Sequence, residues 1–270
     1  MDRKEILEQW RFHEKNKQAR VDLWDSMAQS FGEQALPSFA DNCFLRLLEK
    51  NKMFDAGSLV LDVGCGTGGY SLALAGRCKG VFGIDLSPRM IEIAKEKAEE
   101  QNTKNVRFTC ADWNEMNLSD VNFEHRFDLV FAHMTPAVQS ADTFLKLSQA
   151  SRGWCVLAKP TRRTDPVSDK VKELVGIAEK YESSDDDILY AFELLWKQGL
   201  FPRLDYKPTQ WKMEKTPSQA CAMYINRMKT YRNITAEEEQ QIVRYLDSIT
   251  EDGVIRETVT TTVTTLYWHV

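Results

Sequence analysis

The 270-residue sequence contains no Cys-x-x-Cys pair. Its six cysteines (Cys43, Cys65, Cys78, Cys110, Cys155 and Cys221) are scattered, and its four histidines (His13, His125, His133 and His269) are equally dispersed. A zinc site draws on ligands at short paired spacings, so none is expected here, and the thiols read as reduced, buried side chains. No window approaches the roughly 18 consecutive apolar residues of a membrane-spanning helix. Residues 1–20 are charged throughout and lack the apolar stretch of a signal peptide, which sets the expectation of a cytoplasmic protein. A basic stripe is also missing, since 35 Lys and Arg face 40 Asp and Glu for a net charge of −5. That argues against a partner bound by bulk phosphate neutralisation, although a local basic groove stays open. No internal repeat, low-complexity tract or Gly/Ser linker interrupts the chain.

Helical and strand periods fill the space left by these absences. Leu23, Trp24, Met27 and Phe31 recur at helical spacing, as do Phe39, Phe44, Leu45 and Leu48, with a break at residues 35–38 that puts the second helix start near Pro37 or Ser38. Residues 58–63 form a short apolar run halted by glycines, as a parallel strand buried on both faces does. Helix (69–77), strand (81–85), helix (from Pro88, capped by Ser87), and strands at 106–110, 127–132 and 154–158 follow. Strands alternating with helices make βαβ units and a parallel sheet covered on both faces. Beyond Pro160 come helices at 166–182 and 186–199, a strand at 204–207, and two helices opened by Thr216 and Thr235. Gln219 and Glu238 complete capping-box spacings there. Residues 254–270 are rich in Thr, Val and aromatics and read as a strand.

The strongest signal is Gly64-Cys65-Gly66-Thr67-Gly68-Gly69, where Gly64, Gly66 and Gly69 satisfy GxGxxG at a strand-to-helix turn. Alone this is weak, because such glycines let backbone approach a pyrophosphate or another ligand. Asp62 narrows the choice. A carboxylate two residues before the first glycine repels a pyrophosphate and suits an ammonium group. Asp85 closes the second strand 23 positions later and can accept both hydroxyls of a ribose. Asp112-Trp113 closes the third strand, where the acid can accept from an exocyclic amine and the indole can stack on a purine, wall the pocket or pack in the core. An NAD-dependent oxidoreductase is the competing reading, but it leaves Asp62 and Asp112-Trp113 unexplained and lacks a Tyr-x-x-x-Lys.

Residues 60–68 resemble the first motif of the class I S-adenosylmethionine-dependent methyltransferases. Residues 83–91 resemble the segment closing that family's second strand, and residues 110–113 and 127–130 sit where it has its adenine-contacting motif and fourth strand. The resemblance covers about residues 55–160. It implies an α/β, Rossmann-like, seven-stranded and mostly parallel sheet with an antiparallel last strand, the seventh strand being inserted between the fifth and sixth. One domain would comprise an N-terminal helical cap (1–50), a cofactor-binding core (55–160) and a C-terminal part (161–270) with inserted helices at about 216–250. The implied cofactor is S-adenosyl-L-methionine, contacted by Trp24, Asp62, Gly64, Cys65, Gly66, Asp85, Leu86, Met90, Asp112, Trp113 and His133. Cys65 reads as a small side chain filling the turn and not as a nucleophile.

Methyl transfer needs an oriented acceptor, and a general base only where the acceptor must lose a proton. The segment after the fourth strand reads Ala132-His133-Met134-Thr135-Pro136-Ala137. It matches neither the Asn/Asp-Pro-Pro-aromatic motif of amino-methylating nucleic-acid enzymes nor the Pro-Cys pair of cytosine C5 methylation. A small-molecule acceptor is therefore expected, with a protein or tRNA acceptor as the alternative. His133 is the candidate catalytic residue, as a base or as an acceptor-orienting group. Arg162 and Arg163 could pair an acidic acceptor or form a solvated surface pair. The Met223, Tyr224 and Met228 stripe reads as core that could also serve a cap, and Trp211 and Trp268 read as packing residues.

Overall fold

A computed structural model describes residues 2–11, 16–177 and 184–270. His13 and the end of the helix expected at 166–182 lie outside them. Ten helices and seven strands alternate among the described residues: α1 (Arg3–Gln9), α2 (Lys17–Gly32), α3 (Cys43–Lys50), β1 (Leu59–Val63), α4 (Gly69–Ala75), β2 (Gly80–Asp85), α5 (Pro88–Glu100), β3 (Val106–Cys110), β4 (Phe127–His133), α6 (Ala141–Ala150), β5 (Ser151–Thr164), α7 (Pro166–Leu174), α8 (Asp185–Lys197), β6 (Arg203–Lys215), α9 (Pro217–Lys229), α10 (Ala236–Ser248) and β7 (Ile255–His269). The sheet order is β3-β2-β1-β4-β5-β7-β6. β1 to β5 pair in parallel, and β7 runs antiparallel to both neighbours, so β6 runs with the first five. This is the Rossmann-like sheet with its reversed last strand.

Period-2 alternation sorts side chains to the two faces. Leu61, Val130, Ala132, Cys155 and Leu157 join Ile6 of α1, Phe144 of α6 and Leu194 of α8 in one core. Val60, Phe131, Val156 and Ala158 join Phe44 and Leu48 of α3 and Leu74 of α4 in the other. A further core lies apart from the sheet faces, where Val171, Met223, Tyr224, Met228, Ile242 and Leu246 of α7, α9 and α10 enclose Leu23 of α2 and Ile255 of β7. The Met/Tyr stripe is thus core of a cap that also grips the N-terminal helix. Trp268 is fully buried, as a packing residue is, with its indole N–H on Ser148 Oγ at 3.0 Å.

Several elements differ from the sequence-based expectation for physical reasons. The second N-terminal helix starts at Cys43 under an Asn42 cap, not at Pro37 or Ser38. Ser38 Oγ instead bonds the Asp41 carboxylate, and Pro37 lies against Gly69, so the chain crosses the glycine loop in an irregular stretch before turning helical. α6 carries a Ser140–Thr143 capping box with no Glu or Gln to announce it. β5, β6 and β7 run 14, 13 and 15 residues, well past the apolar segments that mark them in the sequence. β6 is an edge strand whose exposed positions carry Arg203, Asp205, Lys207, Lys212 and Glu214, the charges that blunt such an edge.

Candidate active site

The carboxyl ends of β1, β2, β3 and β4 meet where the strand order reverses, the position at which open α/β sheets bind ligands. The loop after β1 is held by two amides, Gly64 N and Cys65 N, both donating to the Ile84 carbonyl at 2.7 and 2.9 Å. Gly64 has φ +72°, and a Cβ there would lie 1.9 Å from Thr135 Oγ1, so only glycine lets this turn approach the segment after β4. Gly68, at φ +79°, faces Phe108, and a Cβ there would lie 2.7 Å from that ring. Its requirement is packing. Gly66 turns its N–H onto Asp85 Oδ2 at 2.8 Å.

Two acids frame this loop. Asp62 is 3% exposed and accepts a hydrogen bond from Ser71 Oγ at 2.7 Å. Burial, reinforced by the nearby Asp85, pushes its pKa up to about 7. Asp85 accepts from Gly66 N and from Ser87 N (2.9 Å), and burial raises its pKa as well despite these bonds. Two neighbouring carboxyls, one buried and one half-buried, that hold protons more tightly than usual favour a cation beside them, which would ease their ionisation. The same burial and the same two acids drive the Cys65 thiol pKa well up, so it is no nucleophile.

The third acid is built differently. Asp112 Oδ2 lies 3.3 Å from Arg20 Nη2 and 3.4 Å from Lys17 Nζ, both on α2, while Oδ1 accepts from Asn114 N at 2.9 Å. Of the roles open to Trp113, the structure favours the wall over the stacking face. Its ring is 2% exposed in the main core, and its N–H donates to the Thr143 carbonyl at 3.0 Å. The indole is therefore a wall behind the cleft and not a face within it.

α2 packs over the glycine loop and the start of α5. Trp24 is half-buried against Met90, Ile93 and Phe31. Met90 is buried, its sulfur 4.0 Å from where a Gly66 Cβ would stand. Leu86 is half-buried, and its carbonyl faces Cys110 Sγ. Asp25 of α2 accepts from Ser87 Oγ and from Arg89 N, and the Phe31 carbonyl accepts from Thr67 Oγ1 at 3.3 Å. These three ties fix α2 to the glycine loop and to the start of α5.

His133 ends β4 with its ring between Phe44 and Tyr70, each centroid 4.4 Å away. Burial pushes its pKa down to about 3, and among the described residues no carboxylate pairs with it. The ring is neutral at pH 7. Tyr70 hydroxyl accepts from Asn42 Nδ2 at 3.1 Å. Arg162 and Arg163 turn to the chain's own acids, Arg162 to Asp185 at 2.9 Å and Arg163 to Asp165 at 3.0 Å, with Arg163 also over the Trp211 ring. The structure thus gathers Asp62, Gly64, Gly66, Asp85, Leu86, Met90 and Trp24 about the carboxyl ends of β1 and β2, with His133 at the end of β4 and Asp112 just beyond the end of β3. Sequence reasoning missed Ser71, Asp25, Thr135 and the Lys17–Arg20 pair. Lys17, Arg20 and Trp24 are spaced for one helix face, which is legible, but nothing in the sequence says what that face meets.

The methyltransferase-domain family matches residues 54–238. A 56-residue stretch is 50% identical to human tRNA (uracil-5-)-methyltransferase homolog A, covering 21% of this chain and 9% of that protein. A 98-residue stretch is 32% identical to demethylmenaquinone methyltransferase of Lactococcus lactis, covering 34% of this chain and 39% of that protein. The aligned stretches thus span less than half of these curated relatives. The YcgJ protein of Bacillus subtilis has a similar fold, with TM-score 0.51 and 20% identity over 83% of this chain and 96% of that one.

Proposed function

The chain belongs to the methyltransferase-domain family, and on that premise we propose that it is an S-adenosylmethionine-dependent methyltransferase acting on a small molecule. The observation that carries the reading is the pair of acids beside the glycine turn, buried Asp62 and half-buried Asp85, both with raised pKa. When bound, S-adenosylmethionine supplies a methyl group activated on a sulfonium. The chain's own residues bind and orient. Asp62 would lose its proton and face the ligand's ammonium group, Gly64 and Gly66 would let the backbone come close, and Asp85 would accept from ribose hydroxyls. Asp112 Oδ1 would accept from the adenine amine. Trp24, Leu86 and Met90 exclude water, and Cys65 fills the turn.

His133 serves this reading as an acceptor-orienting group. A neutral imidazole clamped between two rings holds an acceptor by a hydrogen bond, whereas a base of pKa near 3 is poorly matched to proton removal at pH 7. A small acceptor suits a cleft covered by α2, which the cap core grips through Leu23. We treat the 270 residues as one methyltransferase domain. The six cysteines form no disulfide, which supports a reducing, cytoplasmic setting. No helix among the described residues is long and apolar enough to cross a membrane. Similarity to a tRNA methyltransferase favours RNA as the second acceptor class.

The test is a thermal-shift titration with S-adenosylhomocysteine and, in parallel, NAD. A ligand at about 100 times its Kd stabilises by about 2.7 kcal/mol, or about 5 °C or more for a chain of this size. A shift with S-adenosylhomocysteine alone supports the proposal, and a shift with NAD alone replaces it with a dinucleotide site. Transfer of labelled methyl to small-molecule extracts or to bulk tRNA then separates the two acceptor classes.

A further inference from the structure

The acid expected to read the adenine amine is not a free carboxylate. Asp112 is 9% exposed, and its Oδ2 faces Arg20 Nη2 at 3.3 Å and Lys17 Nζ at 3.4 Å. Its Oδ1 is fixed by the Asn114 amide. A carboxylate offers about four lone-pair sites. Three are engaged by this chain, and the remaining one lies on Oδ1, the oxygen whose direction the Asn114 amide and the ion pair together set. The two cations differ. Lys17 is 39% exposed and is shared with Glu115 at 2.6 Å, whereas Arg20 is 16% exposed. A planar guanidinium that is partly desolvated fixes the plane of a carboxylate better than a solvated ammonium does.

We infer that Arg20 is a positioning residue for cofactor recognition. Through its ion pair with Asp112 it holds one carboxylate lone pair on the exocyclic amine of the base and so sets the preference for a 6-amino purine over a 6-oxo purine. This rests on the reading of the cleft as an S-adenosylmethionine site. It goes beyond that reading by assigning base selectivity to a residue of the N-terminal helix. The helix does not depend on Arg20 for its place, because Asp25 on Ser87 and Arg89 N, the Phe31 carbonyl on Thr67, and Leu23 in the cap core all hold it independently. Loss of the guanidinium therefore loosens Asp112 without undocking α2.

Calorimetric titration of the full chain with S-adenosylhomocysteine and with S-inosylhomocysteine, which carries oxygen in place of the 6-amino group, tests this. The wild type is expected to prefer the adenosyl ligand at least 10-fold. Arg20→Gln should weaken the adenosyl ligand about 10-fold and leave the inosyl ligand within about threefold, so the preference collapses, and Arg20→Lys should restore part of it. A variant that weakens both ligands equally, or neither, overturns the proposal, because a merely structural role does not change selectivity. A wild type that binds neither ligand overturns the cofactor reading itself, and the proposal with it.

Discussion

Replacing Asp62 by asparagine should make the ligand-free protein more stable while damaging its cleft. Burial lifts the Asp62 pKa from 3.8 to about 7. At about 1.4 kcal/mol for each tenfold change in proton affinity, the ionised native state carries a cost of about 4 kcal/mol. The folded pKa lies above the unfolded one, so below pH 4 the group is protonated in both states and costs nothing. Stability is then lost as pH rises from about 4 to about 7, where only the native state keeps the proton, and the full cost is present from about pH 8. Asparagine keeps the volume and can still accept from Ser71 Oγ, but its amide N–H groups need partners that a carboxylate does not. We expect about half the limit, a gain of about 2 kcal/mol at pH 8.5. That is a rise in Tm of roughly 4 °C for a chain of this size, falling to about half of that at pH 5.5 and vanishing only below about pH 4. The assay is thermal unfolding of both proteins at pH 5.5, 7 and 8.5. An Asp62→Asn variant equal to or less stable than wild type at pH 8.5, with the same pH dependence, would refute the claim that this buried acid is held against its own ionisation.

Other outcomes follow from the same geometry. Gly64→Ala places a methyl 1.9 Å from Thr135 Oγ1 at a φ of +72° and should cost about 3 kcal/mol or more in urea unfolding, since both strain and overlap must be relieved. Because the His133 pKa lies near 3, the ring should show no titration of its C2 proton by NMR between pH 8 and 5, and a midpoint near 6.5 would return it to the role of base. Asp25→Ala removes the acceptor that ties α2 to Ser87 and Arg89 N. It should cost about 1 kcal/mol and speed limited proteolysis within residues 17–32 several-fold. An unchanged cleavage rate would mean that the remaining ties suffice.

The acids and glycines of the proposed cofactor site were legible because they are local. Asp62 precedes the glycines on the same strand, Asp85 closes the next one, and Ser87-Pro88 announces the α5 cap, so each is read within a few residues of a strand end. What stayed hidden depends on distant contacts. Arg20 and Asp112 are 92 positions apart, and Asp25 and Ser87 are 62 apart. Trp113 illustrates a different limit. An aromatic after a strand-end acid fits a stacking face or a core wall equally well, and only the Thr143 carbonyl decides for the core. β6 was under-read because its edge positions alternate polar with half-buried residues and give little apolar signal.

The central claim, that Asp62 and Asp85 form a cradle for the cationic cofactor, is tested most directly by calorimetric titration with S-adenosylhomocysteine. The titration should be run from pH 6 to 8.5 in buffers of different ionisation enthalpy, so that protons released on binding are counted. The account predicts one site per chain, affinity that rises with pH through about 7, and release of up to one proton below that pH as Asp62 ionises against the ligand's ammonium group. Binding that is independent of pH with no proton release, or no binding at all, would contradict it.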